Sequence, residues 1–403
     1  MKRIGIFLVL AALAAGCHQQ EQALRHFGNG YLAMESGKLT EALKEFEAAV
    51  KYDDSLAIAH AGIGDVYREQ GRFDKAVVPY KKAISAMPYE FAFHYRLGRV
   101  YQALDRDLDA AATYEDAVGL NPDYTPARIN LGVVYFRLGD LDKARTNCER
   151  ATELDPGHSF AWSNLGAVYD AQGDTYRAVK AYLKSIDLDP NQGPVHMNLG
   201  TAYLKQGRLD LALEELKRAS DLDPKSAMVR KRLAYVYSKQ KRYGAAIEQL
   251  QPILDKDKDD WDCRNTLAAI YMILYLRHPE QDRLRLQALD EWHKSLEIRP
   301  DQAAIKEQVA RWSKPLPPAE PAAAKPAEPA KKPAEPEKKP APPAEAKPPA
   351  PEAKTPEPPT IEIPSDVPAA KPKDDAGQGL FLDPEAFNPE GDMEEDPQDA
   401  PGE

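Results

Sequence analysis

The chain has 403 residues and 35 prolines, and residues 314–403 alone hold 24 of those prolines, so that stretch lacks the composition for a packed core. Residues 1–313 carry 43 Lys plus Arg against 44 Asp plus Glu, whereas 374–403 carries eleven acids and no base, which places essentially the whole formal charge of −11 at that end. A globally basic, nucleic-acid-seeking surface is excluded, and three cysteines exclude a disulfide-built scaffold.

Met1, Lys2 and Arg3 make a positive start, and Ile4 to Ala15 is an apolar run of twelve residues, too short to span a bilayer. The run closes on Ala14-Ala15-Gly16-Cys17. This ending resembles the lipobox of bacterial lipoproteins, with Ala14 where leucine is usual. The resemblance implies a signal peptide over 1–16, lipidation of Cys17 as the first mature residue, and a short linker over 17–22. A multiply acylated cysteine buries enough methylenes to anchor stably. By the same resemblance, His18 rather than Asp after the cysteine points to the outer membrane, with the chain facing the periplasm. The plainer reading is a cleaved signal peptide with an incidental Cys17.

Beyond residue 22 the sequence repeats itself. Ala42, Ala76, Ala110, Ala144, Ala178, Ala212 and Ala246 are each 34 residues apart, as are Gly30, Gly64, Gly98, Gly132, Gly166 and Gly200, continued by Ala234 and Ala268. Tyr67 to Tyr271 and Pro88 to Pro224 form two more ladders of the same period. Within a unit, the apolar spacing of Phe160 to Tyr169 is helical, breaks near Gly173 and Asp174, and resumes through Ala178 and Tyr182. Two amphipathic helices per unit are predicted. Gly166 and Ala178 let them approach closely, Trp162, Leu165, Tyr169 and Tyr182 are expected to fill the space around them, and Pro190 ends the second.

This spacing resembles the tetratricopeptide repeat family. The resemblance implies an all-α solenoid, a right-handed superhelix of about eight helix-turn-helix repeats at 23–56, 57–90, 91–124, 125–158, 159–192, 193–226, 227–260 and 261–302. The last unit has eight extra residues, expected in the connection around Arg277 to Leu286, and 303–313 reads as a helix capping the open end.

No nucleotide-binding glycine loop, His-Glu-x-x-His, paired Cys-x-x-Cys or Gly-x-Ser-x-Gly occurs in the chain. His26, His60, His94 and His196 share one register position, but metal binding needs nitrogens within about 2.1 Å of one ion, while packed helices lie about 8–10 Å apart. They read as packing histidines, and Cys148, at the register of Tyr114 and Tyr182, reads as a buried thiol. No catalytic residue, metal, cofactor or small-molecule substrate is expected, and the chain reads as a non-enzyme.

The family resemblance implies that the first helix of each unit lines a concave face that binds an extended protein segment. At one register on it stand Asn130, Asn164 and Asn198, whose amides donate and accept and so suit a peptide backbone; the alternative is that asparagine is simply common there. Phe136, Phe160, Met197 and Tyr235, with Tyr95, Val133, Leu204 and Met228 nearby, are expected as apolar anchors, unless some pack between helices. Asn198 and Arg232 match parts of the family's carboxylate clamp, but Ser163, Ala167 and Met228 occupy its other places, so recognition of chaperone tails is not implied.

Residues 314–373 form a Pro/Ala/Lys/Glu-rich linker, and 374–403 reads as an acidic disordered tail whose one apolar cluster runs from Leu380 to Phe387. That cluster is either a docking motif or incidental. Arg230, Lys231, Arg232, Lys239, Lys241 and Arg242 form the densest basic cluster of the array, so the tail is expected to fold back onto them, competing with partners; the alternative is two solvated faces. The whole reads as a lipid-anchored protein-binding scaffold of the bacterial envelope. Its architecture resembles the repeat-containing pilotin lipoproteins that assist secretin and pilus assembly. A scaffold recruiting peptidoglycan enzymes, or an enzyme with an undetected site, are the alternatives.

Overall fold

The computed structural model describes residues 2–314, with side chains from His18 onward. The side chain of Cys17, the linker beyond Lys314 and the acidic tail lie outside the described residues. Among the described residues there are seventeen helices and no strand. They follow as hairpins: α1 (Lys2–Glu35) with α2 (Leu39–Tyr52), α3 (Ala57–Glu69) with α4 (Phe73–Ala86), α5 (Phe91–Ala103) with α6 (Asp107–Leu120), and α7 (Thr125–Leu138) with α8 (Leu141–Leu154). Next come α9 (Ser159–Ala171) with α10 (Thr175–Leu188), α11 (Gly193–Lys205) with α12 (Leu209–Leu222), and α13 (Ala227–Lys239) with α14 (Tyr243–Lys256). The chain closes with α15 (Trp261–Arg277), α16 (Asp282–Ile298) and α17 (Ala303–Trp312). No described helix is long and apolar enough to cross a membrane. Two compact units result, one ending at Cys263 and the other starting at Arg264.

A steric pair repeated every hairpin holds the first unit together. A Cβ built on Gly166 of α9 would lie 2.6 Å from the Tyr182 ring of α10, and one on Gly98 2.6 Å from the Tyr114 ring. Gly64 faces Tyr80 in the same way, Gly132 faces Cys148, and Gly200 faces Leu216. In the next hairpin the same two positions are Ala234 and Leu250, both fully buried. A missing Cβ is what lets a ring lie flat between two helix backbones, and burying such a ring contributes about 1.5–3 kcal/mol. Burial pushes the Cys148 thiol up to about 12, as fits the core position expected for it.

Successive hairpins stack through a second ladder. Val66, Val100, Val134, Val168 and Val236 are each at most 1% exposed, whereas Leu32 at the same register of α1 is 61% exposed. Arg25 and Asn29 are exposed where later hairpins bury Ala59 and Ile63.

The register of the expected packing histidines does more than pack. His60 Nε2 lies 2.9 Å from the carbonyl of Asp54, His94 Nε2 2.9 Å from that of Pro88, and His196 Nε2 3.0 Å from that of Pro190. At the same place Arg128 donates to Pro122 O at 2.5 Å, Trp162 to Pro156 O at 2.9 Å, and Arg230 to Pro224 O at 3.0 Å. Histidine, arginine and tryptophan share one job, an N–H that satisfies the carbonyl of the inter-hairpin loop. Trp162 is accordingly half-buried rather than the core filler the sequence suggested.

In the second unit Met272, Tyr275, Ala288 and Trp292 pack with Ile305 and Trp312 of α17. Arg285, 5% exposed, fixes the end of α17 by donating to Trp312 O at 2.9 Å, its charge held by Asp282 at 2.6 Å. The extra residues of this hairpin are not confined to the connection. α15 and α16 run 17 residues each against 13 in α13 and 14 in α14, so most of the insertion lengthens both helices by about a turn.

Candidate partner-binding face

Within the first unit the odd-numbered helices of neighbouring hairpins touch (α1 with α3, α5 with α7, α7 with α9, α9 with α11, α11 with α13), while no two even-numbered helices make contacts as extensive. The odd helices therefore line the inner side of the stack, the side on which the expected binding residues stand.

The expected residues occupy unequal positions along that side. Phe160 and Met228 are 51% and 39% exposed and Phe136 is 36% exposed; Met197 and Tyr235 are half-buried, and Lys239 lies 5.7 Å over the Tyr235 ring. Leu204 is buried, so it packs between helices instead of offering an anchor. The three asparagines are not equivalent. Asn130 donates to the Tyr114 hydroxyl at 3.3 Å, and that hydroxyl donates to Gln102 at 3.0 Å. Among the described residues Asn164 and Asn198 have no hydrogen-bonding partner, so their amides are open for a ligand. Burial lowers the pKa of Arg232, Asp170 partly offsets this, and its buried Nε has no hydrogen-bond partner.

The basic cluster expected to receive the tail is largely committed within its own fold. Lys231 lies 2.8 Å from Asp260 and 3.1 Å from Asp262 at 14% side-chain exposure; burial opposes its charge, but the two carboxylates outweigh it and raise its pKa. Arg230 is held by Pro224 O, and Arg242 stacks 4.8 Å over Tyr237. Lys231 is therefore neutralised within its own fold, whereas Arg230 and Arg242 keep their charge.

The structure assembles a different site from residues that sequence reasoning passed over, Tyr95 excepted. A cavity of about 300 Å³ opens between α3, α5 and the loop before α7, lined by Met34, Asp65, Arg68, Phe91, Tyr95, Arg96, Arg99 and Tyr124. Its wall is aromatic: Phe91 meets Tyr124 edge to face at 4.9 Å, and Tyr95 meets Tyr124 at 5.1 Å and 87°. Its rim is cationic. Asp65, the one lining carboxylate, accepts from the Tyr80 hydroxyl at 2.7 Å and from Arg96 at 2.5 Å. Arg68 pairs with Glu69 at 2.6 Å and keeps its buried Nε 3.7 Å from Asp65, beyond hydrogen-bonding reach. Burial raises the Tyr95 pKa, so this ring stays a neutral hydroxyl-bearing wall. Such a site can hold an apolar side chain and counter a flanking acid. The density of arginine on one face, Arg68, Arg96 and Arg99, was the available signal.

A broader hollow of about 1230 Å³ lies over the turns at Gly139–Asp142 and Gly173–Arg177, its floor formed by charged and amide side chains around Leu141 and Tyr176. It offers no enclosed apolar wall. Among the described residues no cluster of His, Cys, Asp or Glu is placed to hold a metal ion.

Paired helices in a 34-residue register with these packing ladders define a tetratricopeptide repeat protein, a fold of protein–protein interaction scaffolds and typically not of enzymes. A family model described as the cilia and flagella-associated protein 70 C-terminal domain matches residues 9–270, and the chain belongs to that tetratricopeptide family. No curated protein matches it. Among solved structures, the Cut9–Hcn1 heterotetramer of the APC/C aligns with a TM-score of 0.50 at 18% identity, over 68% of this chain and 53% of that chain. MamA aligns with a TM-score of 0.39 at 31% identity over 40% of this chain and 95% of its own. PilF of Pseudomonas aeruginosa aligns with a TM-score of 0.47 at 17% identity over 53% and 97%. Of these three, the first shows the all-α repeat fold.

Proposed function

We propose that this protein is a lipid-anchored scaffold of the bacterial cell envelope, held through Cys17 in the outer membrane and facing the periplasm, that binds an extended segment of a partner protein along its odd helices. The observation that carries the binding role is the aromatic, arginine-rimmed cavity of α3 to α7, continued downstream by the open amides of Asn164 and Asn198. One supplies apolar anchoring and the other sequence-tolerant backbone contacts. The Ala14 to Cys17 ending supports the anchor. The task such a scaffold performs is the assembly of an outer-membrane complex of the pilus or secretion kind.

The test has two arms. Cys17→Ser is expected to abolish acyl labelling and release the chain from membranes; retention of both label and membrane association overturns the anchor. Partner capture from solubilised envelopes is expected to fall with Tyr95→Ala/Tyr124→Ala and with Asn164→Ala/Asn198→Ala, with circular dichroism of each variant checking that helicity is kept. Unchanged capture by both pairs moves the site off the odd helices.

A further inference from the structure

The cavity of α3 to α7 has a ligand chemistry, and one segment of this chain carries its complement. The cavity asks for an apolar side chain beside negative charge. Residues 374–403 contain eleven acids without a lysine or arginine, and inside them Leu380, Phe381, Leu382 and Phe387 surround Asp383 and Glu385. We propose that this segment docks in the cavity of its own chain, with Phe381 seated against Phe91, Tyr95 and Tyr124 and the acids that follow it set against Arg96 and Arg99, so that partners must displace it. The inference rests on the reading of this face as a groove for extended, apolar-anchored segments and names a regulator of that same site.

Shape chooses this place over the basic cluster of α13 and α14. There Lys231 is already enclosed by Asp260 and Asp262, whereas the cavity offers an aromatic wall of Phe91, Tyr95 and Tyr124. At the cavity Asp65 is the one lining carboxylate beside three guanidiniums, of which Arg68 pairs with Glu69 and Arg96, 41% exposed, pairs with Asp65. A hollow of about 300 Å³ is at the lower end of ligand pockets, room for about one or two aromatic side chains. The tether is sufficient. In extended polyproline geometry about sixty residues of linker reach on the order of 190 Å. That reach is many times the spacing of about 8–10 Å between neighbouring packed helices. A segment tethered in this way is present at about millimolar local concentration, enough to occupy a site of ~0.1 mM affinity about ten times in eleven.

The measurement is a titration of a fluorescent peptide of residues 374–403 against the full chain. Wild-type chain is expected to bind the peptide weakly, because its own tail fills the cavity. The full chain carrying Phe381→Ala/Phe387→Ala is expected to bind it about tenfold more tightly. Adding Arg96→Glu/Arg99→Glu to that chain is expected to reverse the gain, and added salt to weaken binding, since exposed charges are screened within about 8 Å at physiological ionic strength. A peptide that itself carries Phe381→Ala/Phe387→Ala repeats the test with no change to the folded chain, and it is expected to bind none of these proteins measurably. Equal affinity for wild-type and Phe381→Ala/Phe387→Ala chains overturns the proposal, as does binding indifferent to both the arginines and the phenylalanines. A mass in solution that grows with concentration for wild type, but not for Phe381→Ala/Phe387→Ala, assigns the contact to two copies and overturns docking within one chain. If the tail fails these tests while partner capture still depends on Tyr95 and Tyr124, the groove stands and only its occupation by the tail falls.

Discussion

The inner face from α3 to α7 and that from α9 to α13 are built on one register, yet the first is drawn into a cavity and the second is left open. Upstream, Asp65 gathers the Tyr80 hydroxyl and Arg96, and Asn130 is held by the hydroxyl of Tyr114. Downstream, Asn164 stands in the same relation to Cys148, which has no hydroxyl to offer, and charges pair across helices instead, Lys205 with Asp170 at 2.8 Å. The packing ladder fixes where the helices lie. What each stretch can bind is set by the residues beside the ladder.

The largest expected effect tests the ladder itself. Gly98→Ala places a methyl 2.6 Å from the fully buried Tyr114 ring and is expected to cost about 3 kcal/mol, the upper end for overpacking. Adding Tyr114→Leu is expected to recover part of that loss, because α13 and α14 already pack alanine and leucine at these positions as Ala234 and Leu250. Denaturant unfolding of the two single variants and the double variant measures the coupling. Additive losses would mean that the ring and the glycine are not a packing pair. In array proteins such losses spread through neighbouring interfaces, so several probes are needed.

Next in size is the hub of the cavity. Asp65→Asn keeps the shape but removes the charge that receives Arg96 and Tyr80, and is expected to cost about 1.5 kcal/mol. It also removes the one lining carboxylate and the ion-pair partner of Arg96, so binding of an acidic peptide is expected to tighten as stability falls. A fall in both would show that Asp65 shapes the cavity rather than tuning its charge. The matching change downstream, Asp170→Asn, removes the partner of Lys205 at the surface and is expected to change stability by less than about 1 kcal/mol.

These contrasts show which parts of the molecule were legible in its sequence. The ladders of Gly98, Gly166, Ala178 and Tyr182 were legible because a hairpin stack repeats the same contact at the same interval, and any residue that serves it must recur. The role of His60, Arg128 and Trp162 was hidden, because a shared N–H is a property of three side chains that look unrelated. The cavity was hidden for the opposite reason. Met34, Asp65, Tyr95 and Tyr124 come from three helices and a loop and recur nowhere, so only their placement in space reveals them as neighbours. The asparagine row was visible, but the difference between Asn130 and Asn164 depends on the ring that stands sixteen residues earlier.

The smallest effect compares the turns that join the two helices of a hairpin in each stretch. Gly139 and Gly173 turn there with φ of 80° and 81°, and the equivalent residues are Asp105 after α5 and Lys241 after α13, at 56° and 59°. Left-handed backbone costs a residue with a Cβ about 1–2 kcal/mol, while glycine loses about 0.5–1 kcal/mol more chain entropy on folding. Lys241→Gly is therefore expected to stabilise the array by about 0.5 kcal/mol. Aspartate tolerates this conformation better than lysine, and Asp105 also receives Arg137 at 2.5 Å. Asp105→Gly should then give no gain, or a slight loss. Urea midpoints of the two variants check the difference. If both move upward alike, backbone strain dominates and the Asp105–Arg137 pair adds nothing. If Lys241→Gly lowers the midpoint, the lysine side chain contributes more to the turn than its backbone strain removes.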